Sequence, residues 1–454
     1  MTPNGGASDD GARGQLTRTE DVSAHRLTEQ VLVRRFQLQI VGGPDAGQVF
    51  SSQGERALIG THDSADLLLH DRTVSRFHCE LRLAGPRVLL RDTGSRNGTL
   101  IDGVSVLTAP VHDGATITVG RTSLTLRLGA EDLPIPLATG DRFGSLVGRS
   151  ESMRSVFHVL ERAAATDVTV LVEGETGTGK ELVAESLHRA STRRDRPFVV
   201  VDCGALTPEL LKSELFGHER GAFTGADVAR EGAFEAANGG TVFLDEIGEL
   251  GEELQPMLLR AVESRTVKRI GANQYKKVDV RLIAATNRDL YAEVNEHRFR
   301  SDLFYRLAVL RVRMPPLRQR AEDLSLLVPE LLTNLGLLAH PRAAALQTAA
   351  AYAELARHGW PGNIRELRNY LEAAVLFPHG VPDAALQAPP ASTDAPPAFD
   401  LPYRAARTYW THEFEQRYLV EALRRHGNEV TAAARAVGLD RVYFHRLLRK
   451  HHLR

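Results

Sequence analysis

The stretch VTVLVEGETGTGKELVAESLHRA, residues 168–190, joins an apolar run to a helix-forming run through a seven-residue loop, Gly174 to Lys180. A strand buried on both faces reads as continuous apolar sequence, and helical periodicity starts directly after the lysine. Between them Gly174, Gly177 and Gly179 let successive backbone N–H groups turn toward one anion at a helix N-terminus. Glu175, Thr176 and Thr178 fill the positions between, and Lys180 supplies a cation for the β- and γ-phosphates of a nucleotide. Glu181 stands where the general phosphate-loop pattern has Ser or Thr for Mg²⁺.

Working outward, FVVVD, GTVFLD and VRLIAAT are further apolar runs alternating with helical pattern, which predicts an α/β domain with a parallel sheet over 146–314. The run GGTVFLDEIGEL places Asp245 and Glu246 at a strand end downstream of the phosphate loop. There Asp245 suits Mg²⁺ coordination and Glu246 suits polarising an attacking water. A helical stretch, 315–377, follows as a lid. Residues 378–402 are rich in Pro and Ala and read as a linker.

Before the ATP-binding region, residues 31–128 carry short alternating strands: FQLQIV, ALIG, CELRL, RVLLRD and SLTLRL, the pattern of a β-sandwich. Residues 1–30 read as a disordered arm and 129–145, with Pro134 and Pro136, as a linker. The multidomain expectation is therefore β-sandwich, α/β phosphate-loop domain with helical lid, and an all-α tail, 403–454. Two cysteines, Cys79 and Cys203, form no disulfide framework and no zinc spacing. The net charge of -1 excludes a uniformly basic chain but leaves room for a local basic patch. With no long apolar stretch and no apolar signal core, the expectation is a cytoplasmic protein without membrane contact.

Residues 146–377 resemble the central domain of sigma-54-dependent activators (bacterial enhancer-binding proteins), a branch of the AAA+ ATPases. In that family the phosphate loop reads GExGTGKE, so Glu181 is the family's own residue. The most specific match is ELFGHERGAFTGA, in which Gly221, Ala222, Phe223, Thr224, Gly225 and Ala226 are the hallmark loop that contacts sigma-54. The resemblance also implies that Asn287 in AATNRD is the first sensor and Arg365 in WPGNIRELRN the second. It implies that Arg300 and Arg306 in FRSDLFYRL reach into a neighbouring subunit's site, and hence a homo-oligomeric ring, a hexamer. A guanidinium suits that task because its planar fork carries permanent charge. Asp202 departs from the family's usual Asn. An Asp facing Glu246 would place like charges together and raise the pKa of one carboxylate.

The 31–128 sandwich resembles a forkhead-associated domain, whose loops bind phosphothreonine peptides. Ser75, Arg76 and His78 match its S-R-x-H core; Ser95, Asn97, Gly98 and Thr99 match its S-x-N-G-T turn. Ser75 and Arg76 can offer donors to a phosphate, Ser95 and Asn97 complete the candidate site, and His78 reads as a loop brace. Thr61 replaces the arginine that usually grips the phosphate. Two readings of the sandwich stand open, a phosphothreonine site and a protein-docking module.

The tail, FEQRYLVEALRRHGNEVTAAARAVGLDRVYFHRLLRKHHLR, has helix-turn-helix offsets at Ala433, Ala434, Val437, Leu439, Phe444 and Leu447. Arg441, Tyr443, His445, Arg446, Arg449 and Lys450 lie along the second helix as candidate contacts to double-stranded DNA. The stretch resembles the Fis-type motif that ends most sigma-54 activators. The expected function is an ATP- and Mg²⁺-dependent activator that remodels sigma-54 RNA polymerase. The alternative is a DNA-binding adaptor whose ATPase acts as an assembly switch; a general protein-unfolding machine is disfavoured by the helix-turn-helix.

Overall fold

The structure, a computed structural model, describes residues 30–377 except 53, 55, 85, 86, 224 and 225, together with Leu419, Val430, Phe444 and Leu448. The chain divides into two compact units, 1–380 and 381–454.

The first unit opens on a sandwich of two sheets. One is built on Gln30–Gly42 and Thr122–Pro136, paired antiparallel along their length; the other runs through Arg56–Gly60, Cys79–Ala84 and Arg87–Asp92. Alternation fixes its faces: Phe36, Leu38 and Ile40 point inward against Leu124 and Leu126, with Leu81 and Leu90 from the facing sheet. The strand that closes the sandwich continues to Pro136, and Leu32 lies opposite Pro134 in the register. The segment read as the start of a linker, 129–136, is therefore strand. Its prolines fall at the far end of the ladder, where a missing donor costs little.

The α/β region holds a five-stranded parallel sheet in the order Phe198–Asp202, Thr241–Asp245, Arg281–Thr286, Val170–Glu173, Leu310–Arg313. The strand of the phosphate loop sits inside this order, so its C-terminal edge is flanked by Arg281–Thr286 and Leu310–Arg313. Each central strand is apolar on both faces because helices cover both. Helix Glu151–Ala164 begins where the Ser150 hydroxyl accepts from the Met153 N–H, with Glu151 in its first turn and Arg162 in its last. Those placements suit the helix dipole.

The lid consists of helices Leu324–Asn334, Ala343–Leu346, Ala349–Leu355 and Asn363–Leu376 around buried Trp360, Leu367 and Leu371. Buried Asp323 ties it to the start of the α/β region, accepting from the Arg149 and Ser150 N–H groups and the Ser150 hydroxyl. In the second unit Leu419, Val430, Phe444 and Leu448 are helical and buried. Phe444 thus has the core position its spacing predicted, and the six candidate DNA contacts lie outside the described residues. Among the described residues no helix is long and apolar enough to cross a membrane. Cys79 and Cys203 are buried free thiols, and burial pushes Cys203 up to about 12.

Candidate functional site

The phosphate loop lies between Val170–Glu173 and helix Lys180–Arg189. Gly177 and Gly179 take φ of 78° and 100°, a region that side chains other than glycine's rarely occupy, so the loop's curvature depends on them. Thr178 is buried with its hydroxyl donating to the Glu175 carbonyl, while Lys180 is only 7% exposed. Its ammonium donates to the Gly174 and Glu175 carbonyls at 3.1 and 3.4 Å and stands 3.9 Å from a Glu246 carboxylate oxygen. Burial lowers the Lys180 pKa, against the opposing pull of Glu246 and Asp245. The amine is held by backbone carbonyls that a phosphate oxygen can outcompete.

Three strand ends converge on this loop. Asp245 closes its strand, and one of its oxygens accepts from the Glu246 N–H. Glu246 itself sits at φ 49°, turned out of strand geometry into the short helix that follows. Asn287 follows the next strand; its backbone N–H donates to Glu246 at 3.4 Å and its amide donates to the Thr176 hydroxyl at 3.1 Å. One residue thereby touches both the phosphate loop, through its side chain, and the candidate catalytic carboxylate, through its backbone. Asp202 lies in register with Asp245, and its Oδ1 accepts from the Gly204 and Ala205 N–H groups. The residue that breaks the family pattern thus caps its own turn.

The lid closes over the loop through residues that sequence reasoning passed over. Asn363, buried at φ 53°, donates to the Glu175 carboxylate and the Thr176 carbonyl, and its own oxygen accepts from Leu317 N–H. Arg318 pairs with Glu175 through two bonds of 2.5 and 2.8 Å. That contact holds the Glu175 carboxyl below the usual range, with burial opposing it. Buried Arg320 donates to the Thr178 carbonyl. Arg365, exposed in the first turn of Asn363–Leu376, packs its stem beside Gly177. Glu181 is exposed on the first turn of Lys180–Arg189.

Arg300 and Arg306 flank and end helix Ser301–Leu307 and are half-exposed. Arg300 pairs with Asp302 at 2.7 Å and Arg306 with Glu263 at 2.7 Å. Phe223 is 43% exposed, and among the described aromatic rings it touches only the edge of His218. Its loop is pinched at the base by the Gly221 N–H donating to the Ala226 carbonyl, while Ala222 rests by Gly271. Thr224 and Gly225 lie outside the described residues.

This is the sequence region matched by the family model described as the sigma-54 interaction domain, over residues 146–313. The model of the AAA+ ATPase lid domain matches 318–385, and that of the Fis family of bacterial regulatory proteins matches 412–451. A transcriptional regulatory protein of Klebsiella oxytoca, ZraR, is 47% identical over 72% of this chain and 73% of its own length. The chain belongs to the sigma-54-dependent transcriptional activators. It is an AAA+ ATPase with a Fis-type DNA-binding tail. NtrX from Brucella abortus in complex with ATP is similar at 35% identity, covering 69% of this chain and 70% of that one, with a TM-score of 0.47.

The amino-terminal sandwich of the activator carries the loops of the forkhead-associated resemblance, Ser75 to His78 and Ser95 to Thr99. Residues 39–129 match the model described as the cytoplasmic domain of an inner membrane component of the T3SS. A phosphothreonine-dependent forkhead-associated domain covers 21% of this chain and 97% of its own length at 29% identity, TM-score 0.20. His78 is the brace its position implied, accepting from the Ser75 N–H and bonding the Gly98 carbonyl at 3.0 Å. Burial lowers its pKa, which suits a neutral imidazole with one donor and one acceptor. The Ser75 hydroxyl accepts from the Arg96 N–H, and the Asn97 amide donates to the Thr73 carbonyl. Ser95 turns inward, its hydroxyl donating to Asp92 at 2.6 Å, so it shapes the turn. Arg76 and Asn97 remain exposed.

Proposed function

We propose that this activator works as a homo-hexameric ring on double-stranded enhancer DNA, coupling ATP hydrolysis to the opening of promoter complexes by sigma-54 RNA polymerase. The observation that carries the reading is the position of Asn287, bonded at once to Thr176 of the phosphate loop and to Glu246. A γ-phosphate entering the loop disturbs both bonds, so the carboxylate that orients water also registers the nucleotide. Asp245 has an oxygen without a hydrogen-bond donor among the described residues, which fits a Mg²⁺ held by one carboxylate plus phosphates and waters. When bound, the ion neutralises charge on the phosphate oxygens.

Within this mechanism Lys180 leaves its carbonyl partners for the β- and γ-phosphates, and Glu246 holds the attacking water by accepting its proton. Arg365 closes on the nucleotide from the lid. Arg300 and Arg306 exchange Asp302 and Glu263 for the phosphates of the neighbouring subunit, where permanent charge stabilises the transferring group. The exposed Phe223 is the contact to sigma-54. Mixing subunits tests the arrangement: Arg300→Ala and Lys180→Ala proteins are each inactive alone. Hydrolysis returns on mixing if the arginine acts in trans, and no recovery would place it in its own subunit's site.

At the input end, the forkhead-associated-like sandwich senses a phosphothreonine segment through Ser75, Arg76 and Asn97. The exposure of Arg76 and Asn97 beside the loop that His78 braces supports this reading. Phosphorylation-dependent peptide binding by the full chain tests it.

A further inference from the structure

The sandwich is seated on its own ATPase through the same loops that form its candidate phosphopeptide face. Phe77, the variable residue of the S-R-x-H core, is fully buried and packs against Tyr291, Phe304 and Tyr305 at ring-centroid separations of 4.7, 5.9 and 6.1 Å. His62, next to Thr61, stacks on Tyr305 and bonds its hydroxyl at 3.0 Å. Asn295 reads the backbone of two recognition loops at once: its oxygen accepts from the Phe77 N–H, and its amide donates to the carbonyls of Phe77 and Thr93. Arg91 pairs with Asp289 at 2.7 Å beside them.

Docking does not cover the face. A cavity of about 390 Å³ remains open at the seam, lined on the sandwich side by Thr61, Ser75 and Asn97 together with Arg72, Arg76 and Arg96. Its other wall is the ATPase segment Asn295–His297. The three arginines are exposed, and none forms an ion pair with a described carboxylate. Three guanidinium groups without a carboxylate partner among the described residues line one cavity, and their planar forks suit a phosphate. The wall's single carboxylate, Glu296, is paired with Arg298. His297 is held at φ 63°, a conformation that costs a non-glycine residue free energy and is kept where surrounding structure imposes it.

We infer that this cavity is a phosphothreonine site shared by the two domains. The phosphate is held by Arg72, Arg76 and Arg96, and the ATPase segment Asn295–His297 contributes to affinity in place of the arginine absent at Thr61. This deepens, and rests on, the phosphothreonine reading given above. The wall segment leads within three residues into Arg300 and helix Ser301–Leu307, which also holds Tyr305 and Arg306. Whatever free energy the ATPase wall adds to ligand binding must return as a bias on that wall, because coupling between sites is reciprocal.

The test uses the full chain and a degenerate phosphothreonine peptide mixture, with the unphosphorylated mixture as control, read by fluorescence anisotropy. Wild type binds only the phosphorylated peptides, and Arg76→Ala weakens binding by about tenfold or more. His297→Gly removes the imidazole while keeping a residue at ease at positive φ, and it weakens binding by about threefold to tenfold. Asn295→Ala, which releases the docking bonds, weakens it as well. Binding that Arg76→Ala reduces but His297→Gly and Asn295→Ala leave unchanged would overturn the shared site and leave the phosphothreonine reading standing. Tighter binding by Asn295→Ala would also overturn it, since docking would then compete with the ligand. Absence of phosphorylation-dependent binding in wild type would remove the phosphothreonine reading itself.

Discussion

Asn363 donates its side-chain amide to the Thr176 carbonyl at 3.1 Å, joining the lid to the phosphate loop across nearly two hundred residues of sequence. The same amide reaches Glu175, and its oxygen satisfies the Leu317 N–H. Buried at positive φ, the position asks for a residue that tolerates the left-handed region and can bond in three directions. Asn363→Ala strands the buried Leu317 N–H, at a cost of about 1–3 kcal/mol. The expected result is a lowered melting temperature and nucleotide affinity reduced about tenfold, read by calorimetry and nucleotide titration. Unchanged affinity would show that the lid does not set the shape of the loop.

Gly177 and Gly179 separate two demands on the same loop. Both have positive φ, but a Cβ on Gly177 would collide with the Gly362 carbonyl, whereas one on Gly179 meets only Leu146 at 3.9 Å. Gly177→Ala is therefore expected to open the lid as well as strain the loop, while Gly179→Ala strains the loop alone. Buried Trp360 in the lid core reports the difference: its fluorescence should shift in the first variant and stay as in wild type in the second. Equal spectra would contradict the tight lid contact.

Asp71 supports the recognition loop from below. Burial raises its pKa, but hydrogen bonds from Thr73, Arg121 and Thr122 outweigh that and lower it to about 2 from an ordinary 3.8. A folded-state pKa below the unfolded value gives stability that is full above about pH 4 and drains away as the pH falls toward 2. The shift corresponds to roughly 2 kcal/mol. Hydrogen exchange across residues 71–78 is expected to accelerate as pH falls through this window, beyond the intrinsic rate. Asp71→Asn should show the faster exchange already at pH 7 and little further change.

The central sheet was legible because its strands are buried on both faces: VTVLVE, FVVVD, GTVFLD and VRLIAAT each became parallel strands. The sandwich was legible through its alternation, since inward positions such as Phe36, Leu38 and Ile40 must be apolar. Contacts distant in sequence were not. Arg318 and Arg320 look like surface cations in a string, and only the fold brings them to Glu175 and Thr178. Phe77 occupies a position that the forkhead-associated pattern leaves free, so nothing local marks it as the anchor into Tyr291 and Phe304. Asn363 was within reach: a polar residue directly after Pro-Gly, at the start of an amphipathic helix, signals a specialised backbone position.

The measurement that bears most directly on the account is open-complex formation on a sigma-54 promoter with an upstream enhancer, comparing wild type with Phe223→Ala and Thr224→Ala while ATP hydrolysis is followed in the same samples. Wild type is expected to open the promoter only with hydrolysable ATP. Both variants should hydrolyse within about twofold of wild type yet yield no open complex, since the loop transmits force without taking part in the chemistry. Variants that hydrolyse ATP and open the promoter as well as wild type would contradict the assignment of this loop to sigma-54 and, with it, the proposed coupling.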